Sequence, residues 1–120
     1  MFQKILVPLD GSKLAECALP HAVDMAKVYS AEMVLVSVTE EVEGFRAVSD
    51  ASQPHEERLV PEAGGKLEEQ ARKYLDRIAE GVAKEGVKVT TEVQFGKPAD
   101  GIMVAAMLYD CDVIVMSSHG

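Results

Sequence analysis

Two short stretches carry residue types able to meet a ligand. The first is Leu9-Asp10-Gly11-Ser12, which follows the apolar run KILVPL. A carboxylate at that point can accept hydrogen bonds from hydroxyl or amino groups. The second is Ser117-Ser118-His119-Gly120, which follows DVIVM. Small residues there let a backbone approach a ligand closely. Each stretch also has a plain structural use. Asp10 suits an Asp-Gly-Ser turn, in which its side chain bonds the backbone two residues on. Ser117 to Gly120 could equally form an ordinary turn, with His119 exposed. His21 and His55 have no partner at metal-ligand spacing. There is no GxxxxGK[ST] phosphate loop, no GxGxxG after the first apolar run and no Ser-His-Asp pattern that a sequence can support.

The elements that must hold these stretches can be read from periodicity. KILVPL, residues 4–9, reads as a strand. Ser12 is a good helix N-cap, and Glu16 places negative charge near the positive end of the helix that follows. Leu14, Ala15, Ala18, Leu19, Ala22, Val23 and Ala26 recur at helical spacing up to about Tyr29, with a kink or a solvent-facing distortion expected at Pro20. MVLVSV, residues 33–38, is a second strand. Residues 39–65 are polar, rich in Glu and without a sustained period, and read as a long loop, often functional when it occurs inside a domain. A helix follows over 66–85, with Leu67, Ala71, Leu75, Ile78 and Val82 on one face and Gly86 just past its end. Residues 87–95 alternate as a strand. Pro98 opens a third helix to about Tyr109, in which Met103 and Met107 read as packing residues, and residues 112–116 make a fourth strand.

Strands alternating with helices predict an α/β fold, a parallel sheet with helices on both faces. The first, second and fourth strands are near-continuous apolar runs, as central strands are, whereas the third alternates like an edge. Right-handed crossovers with one reversal of direction then favour the order 3-2-1-4. The reversal lies between the first and fourth strands, where open α/β sheets hold ligands beyond the carboxyl ends. Leu9-Asp10 and Met116-Ser117 are the residues that emerge there. A fourth strand apolar on both faces makes a hazardous free edge. The pattern therefore leads us to expect a further helix and strand, about 25 residues on typical element lengths, beyond a single domain spanning 1–120.

Composition narrows the partners. The 120 residues carry 12 Lys and Arg against 20 Asp and Glu, a net charge of −8. That balance argues against nucleic acid, whose binding needs cations to replace phosphate counterions, and against an anionic membrane surface. No apolar run is long enough to span a bilayer. The two cysteines, Cys17 and Cys111, lack CxxC spacing and read as reduced thiols in a cytoplasmic protein.

These features in order resemble the universal stress protein family. The likeness runs from KILVPLDGS through the Ala-rich first helix, Ser37-Val38 at a strand end, the long insertion and Gly96-x-Pro98 to DVIVMSSHG. The resemblance implies an open, mostly parallel Rossmann-like or flavodoxin-like sheet, frequent homodimers, and a branch that binds ATP or AMP beside one that does not. It further implies that Asp10 bonds the ribose or adenine edge and that Val38 offers backbone groups to the adenine. Pro8 and Leu9 would line the base pocket, and Met116, Ser117 and Gly120 would approach ribose and phosphates, with Mg accompanying ATP. Two departures weaken this pattern. The family's Gly-x-x-Gly begins here with Ser117, which places a side chain where close approach is wanted. The more distal Gly-Ser/Thr is absent, so triphosphate affinity is expected to fall.

Three functions follow from different classes. The leading one is a stress-response sensor or regulator that binds an adenine nucleotide. The second is a non-nucleotide interaction module acting through dimerisation, which Ser117 favours. An enzyme is the weakest, since no base, nucleophile or metal set is visible and at most slow ATP hydrolysis is expected. A phosphoacceptor receiver domain fits poorly: it needs an acidic pair after the first strand and an Asp after the third, where this chain has one Asp and Phe95-Gly96.

Overall fold

In the computed structural model the backbone is described for residues 3–39, 45–50, 53–61 and 66–117, and side chains for 3–39 and 67–117. Elements follow in the order β1 (Lys4–Pro8), α1 (Lys13–Glu16), α2 (Leu19–Tyr29), β2 (Glu32–Thr39), β3 (Phe45–Asp50), β4 (Gln53–Pro61), α3 (Lys66–Lys84), β5 (Val89–Phe95), α4 (Pro98–Leu108) and β6 (Val113–Ile114). The main sheet is ordered β5-β2-β1-β6 and its pairings are all parallel. Counting only its own strands, that is the expected 3-2-1-4.

Side-chain alternation divides the sheet into two faces. Ile5, Val7, Met33 and Leu35 pack with Ala22 and Ala26 of α2 and Leu75 and Val82 of α3. Leu6, Val34 and Val36 pack with Ala105 of α4 on the other face. Strands β1 and β2 are thus apolar on both sides because both sides are covered. Each fully buried Leu, Ile or Val there contributes about 1.5–3 kcal/mol.

Four expectations need correction. The stretch read as a polar loop over 39–65 contains an antiparallel hairpin, β3 with β4, in register from Phe45↔Pro61 to Ser49↔Glu57 and irregular beyond Ser49. A ladder needs only backbone donors and acceptors, so a charge-rich sequence with no sustained apolar period can still form one. The first helix is broken rather than kinked. It stops after Glu16 and restarts at Leu19, which puts Pro20 in the first turn of α2, where its missing N–H costs nothing. The fourth strand, expected over 112–116, shrinks to Val113–Ile114, with one further ladder bond from Val115 N–H to Leu6 O at 2.9 Å. Among the described residues it pairs only with β1, and Ile114 and Met116 stay exposed. Met103 and Met107 of α4 are exposed too, rather than packed inside.

Two clamps fix the ends of the sheet. Asp112 Oδ2 accepts the backbone N–H groups of Gln3 at 2.7 Å and Lys4 at 2.8 Å, stapling the entry of β6 to that of β1. Those two bonds hold its carboxyl below the usual carboxylate range. Across the sheet, Glu92 of β5 accepts from the Tyr109 hydroxyl at 2.7 Å and from Gln94 Nε2 at 2.6 Å, tying the end of α4 to the edge strand. The bond to Glu92, then burial, pushes the Tyr109 phenol up.

Candidate nucleotide site

The same alternation builds the site. Pro8 shares the face of Leu6, and Val38 that of Val34 and Val36, so Pro8 and Val38 point toward α4 at the carboxyl rim of the sheet. The chain leaves β1 through Leu9, whose N–H donates to Val36 O at 2.8 Å and whose side chain is buried. It then turns. Asp10 Oδ1 accepts the Ser12 N–H at 2.9 Å, and Ser12 Oγ caps α1 by accepting the Ala15 N–H at 3.1 Å. Gly11 between them has φ +88°, a left-handed conformation that costs glycine nothing. Both structural expectations for this turn, the Asp-Gly-Ser bond and the Ser12 cap, are met.

From the far side, Gly96 at φ +108° turns the chain out of β5 and into α4. The first turns of α4 bring Pro98 and Ile102 over the rim. From β6 come Met116 and Ser117. The result is a cavity of about 200 Å³ lined by Pro8, Leu9, Asp10, Ala15, Val36, Val38, Pro98, Ile102, Met116 and Ser117. It lies between the carboxyl ends of β1, β2 and β6, at the reversal of strand order. Six of the seven residues named from sequence, Pro8, Leu9, Asp10, Val38, Met116 and Ser117, meet at this one place. The seventh, Gly120, lies outside the described residues.

Sequence reasoning missed Ala15, Val36, Pro98 and Ile102. Val36 was legible, being two positions before Val38 on the same strand face. Pro98 and Ile102 follow from topology: a helix crossing from β5 back to β6 starts at the carboxyl rim and passes over β2. Gly101 was also overlooked. A Cβ on it would lie 2.6 and 2.7 Å from the two Val38 methyl carbons and 3.2 Å from Gln94 Cβ. Its bare Cα lets α4 press against the side chain that walls the cavity.

Chemically, the cavity is an apolar slot with one carboxylate at its mouth. Asp10 is the only charged group among the described lining residues. No group of three or more His, Cys, Asp or Glu gathers among the described residues. Such a slot can enclose a flat ring and offer its rim a hydrogen-bond acceptor.

Fold and site together define a class: a doubly wound α/β domain with a ligand-sized cavity at its switch point. The chain belongs to the universal stress protein family, whose model matches residues 1–120. Universal stress protein MJ0531 of Methanocaldococcus jannaschii is 31% identical over 120 residues; the match takes in all of this chain and 66% of that relative, just under two thirds of its length. The solved structure of MJ0577, a universal stress protein of the same organism, matches with a TM-score of 0.73 at 28% identity, covering 100% of this chain and 77% of that one. A universal stress protein solved in complex with cAMP matches with a TM-score of 0.61 at 18% identity over 96% of this chain and 75% of the other, a likeness of fold.

Proposed function

We propose that this domain binds an adenine nucleotide, ATP or AMP, at the carboxyl ends of β1 and β6 and serves as a cytoplasmic sensor or regulator in a stress response. The observation that carries the reading is the convergence of Pro8, Leu9, Asp10, Val38, Met116 and Ser117 on one cavity. Pro8, Val36, Val38 and Ile102 would sandwich the base. Asp10, at the mouth, would accept a ribose hydroxyl or the adenine edge. At about 200 Å³ the cavity is below the usual 300–1,000 Å³ of a drug-sized site. It suits the base and part of the sugar, leaving the phosphates over the mouth beside Ser117, with Mg accompanying a triphosphate. The fold neighbour solved with cAMP holds an adenine nucleotide, which is consistent with this reading at the level of fold.

Titration calorimetry with ATP and AMP tests it. Wild type is expected to release heat with a single site, and Asp10→Ala to weaken binding about tenfold, since a hydrogen bond to a charged group is worth about 1.5–3 kcal/mol. No heat from the wild type, or equal affinity in Asp10→Ala, sinks the reading.

A second reading has its own support. Met103, Met107 and Leu108 of α4 and Ile114 and Met116 beside β6 are exposed. Apolar surface on that scale is typical of interaction faces, and it favours a module that works as a homodimer without nucleotide. A calorimetric null from a protein that sediments as a dimer would select it. No helix among the described residues is long and apolar enough to cross a membrane.

A further inference from the structure

The turn that carries Asp10 is held locally by the Asp10–Ser12 bond and the Ser12 cap. Helix α1 is a single turn, Lys13–Glu16, with no buried residue. One isolated turn has little intrinsic stability. Support arrives from α3, far along the chain. The Tyr74 hydroxyl donates to Glu16 Oε2 at 2.8 Å. That bond ties the last residue of α1 to α3, and with it the turn that begins at Gly11. The ring is itself fixed, half-buried against the core formed by β1, α2 and α3.

We propose that Tyr74 is a positioning residue for the nucleotide site: by bonding Glu16 it anchors α1, and so holds the loop between β1 and α1 with Asp10 facing the cavity. The inference rests on the binding reading above and deepens it. Burial, then the bond to Glu16, with the Asp10 charge adding to both, pushes the Tyr74 phenol well above its ordinary value. The hydroxyl therefore remains a donor at any physiological pH. Neither Tyr74 nor Glu16 lines the cavity, so both act through the loop.

Two measurements on Tyr74→Phe, one on the free protein and one with AMP, decide the matter. In the free protein, the backbone order parameters of Gly11 and Ser12 are expected to fall from the rigid range of about 0.85 toward about 0.6, with those of β1 and β2 unchanged. With AMP, affinity is expected to drop about three- to tenfold, the loss of one modest hydrogen bond. Glu16→Gln, which keeps a carbonyl acceptor, should retain wild-type order and affinity, whereas Glu16→Ala should behave like Tyr74→Phe. Unchanged order at Gly11 in Tyr74→Phe overturns the proposal, whatever AMP does. Wild-type AMP affinity in a loosened Tyr74→Phe also overturns it, while leaving the binding reading intact. A wild type that binds no AMP overturns the binding reading instead, and the order parameters then still decide whether Tyr74 holds the loop.

Discussion

At the scale of single residues, the site depends on where atoms are missing as much as where they are present. Gly101 sits inside α4, where alanine is ordinarily better by about 0.5–1 kcal/mol. Its Cα instead abuts the two Val38 methyl groups. We expect Gly101→Ala to destabilise the fold by about 1–3 kcal/mol, the usual cost of overpacking. Val38 should be driven toward the cavity, weakening AMP binding. Gly81 in α3 is the control, because a Cβ there meets nothing within 4 Å; Gly81→Ala should raise stability. Thermal melts of both variants check the pair, and equal upward shifts would contradict the account. Residue chemistry was largely legible beforehand. Asp10, Ser12 and Ser117 announce themselves by type and by their place after apolar runs. Tyr74 and Glu16 do not. Their bond spans 58 positions, and nothing local pairs an aromatic in one helix with an acid in another.

At the scale of elements, periodicity located every strand and helix of the main sheet, because burial on one or two faces imposes it. Elements governed by other forces escaped. The β3–β4 hairpin is organised by backbone pairing in a charge-rich segment. The break between α1 and α2 arises at Cys17-Ala18, before the proline that signals it. Strand β6 was overextended because apolar content alone does not show where ladder bonds end; among the described residues it pairs with β1 only and keeps a short ladder. Its attachment leans on Asp112, whose two backbone bonds favour the ionised carboxylate. A depressed native pKa stabilises above the unfolded value, and that contribution is lost as pH falls through the native one. Asp112→Asn should therefore melt below wild type at neutral pH, and the gap should begin to close only below about pH 4, the ordinary carboxylate value, narrowing further as pH falls through the lower native one. Melting curves between pH 7 and pH 3 check this, and a gap that persists unchanged in acid would contradict it.

At the scale of the whole molecule, topology is what turns scattered residues into a site. Strand order 3-2-1-4 sets the carboxyl ends of β1 and β6 side by side, and the crossover of α4 from β5 to β6 supplies the roof. None of the lining residues is unusual alone. Order and handedness could be argued from alternating strands and helices, which is why the rim was placed correctly before any side chain was. The depth of the slot and the pressure of α4 on Val38 depend on packing distances that periodicity does not encode. The net charge of −8 and a lining whose only described charge is a carboxylate suit recognition of a base better than capture of a phosphate. The central claim is that an adenine ring enters between Pro8, Val36, Val38 and Ile102. Methyl-resolved NMR during titration with AMP tests it most directly. The account predicts ring-current shifts on Val36, Val38, Ile102 and Met116 that saturate together, with Val23 and Val82 in the α2–α3 layer unmoved. Saturating shifts confined to that layer, or no shifts at millimolar AMP, would contradict it.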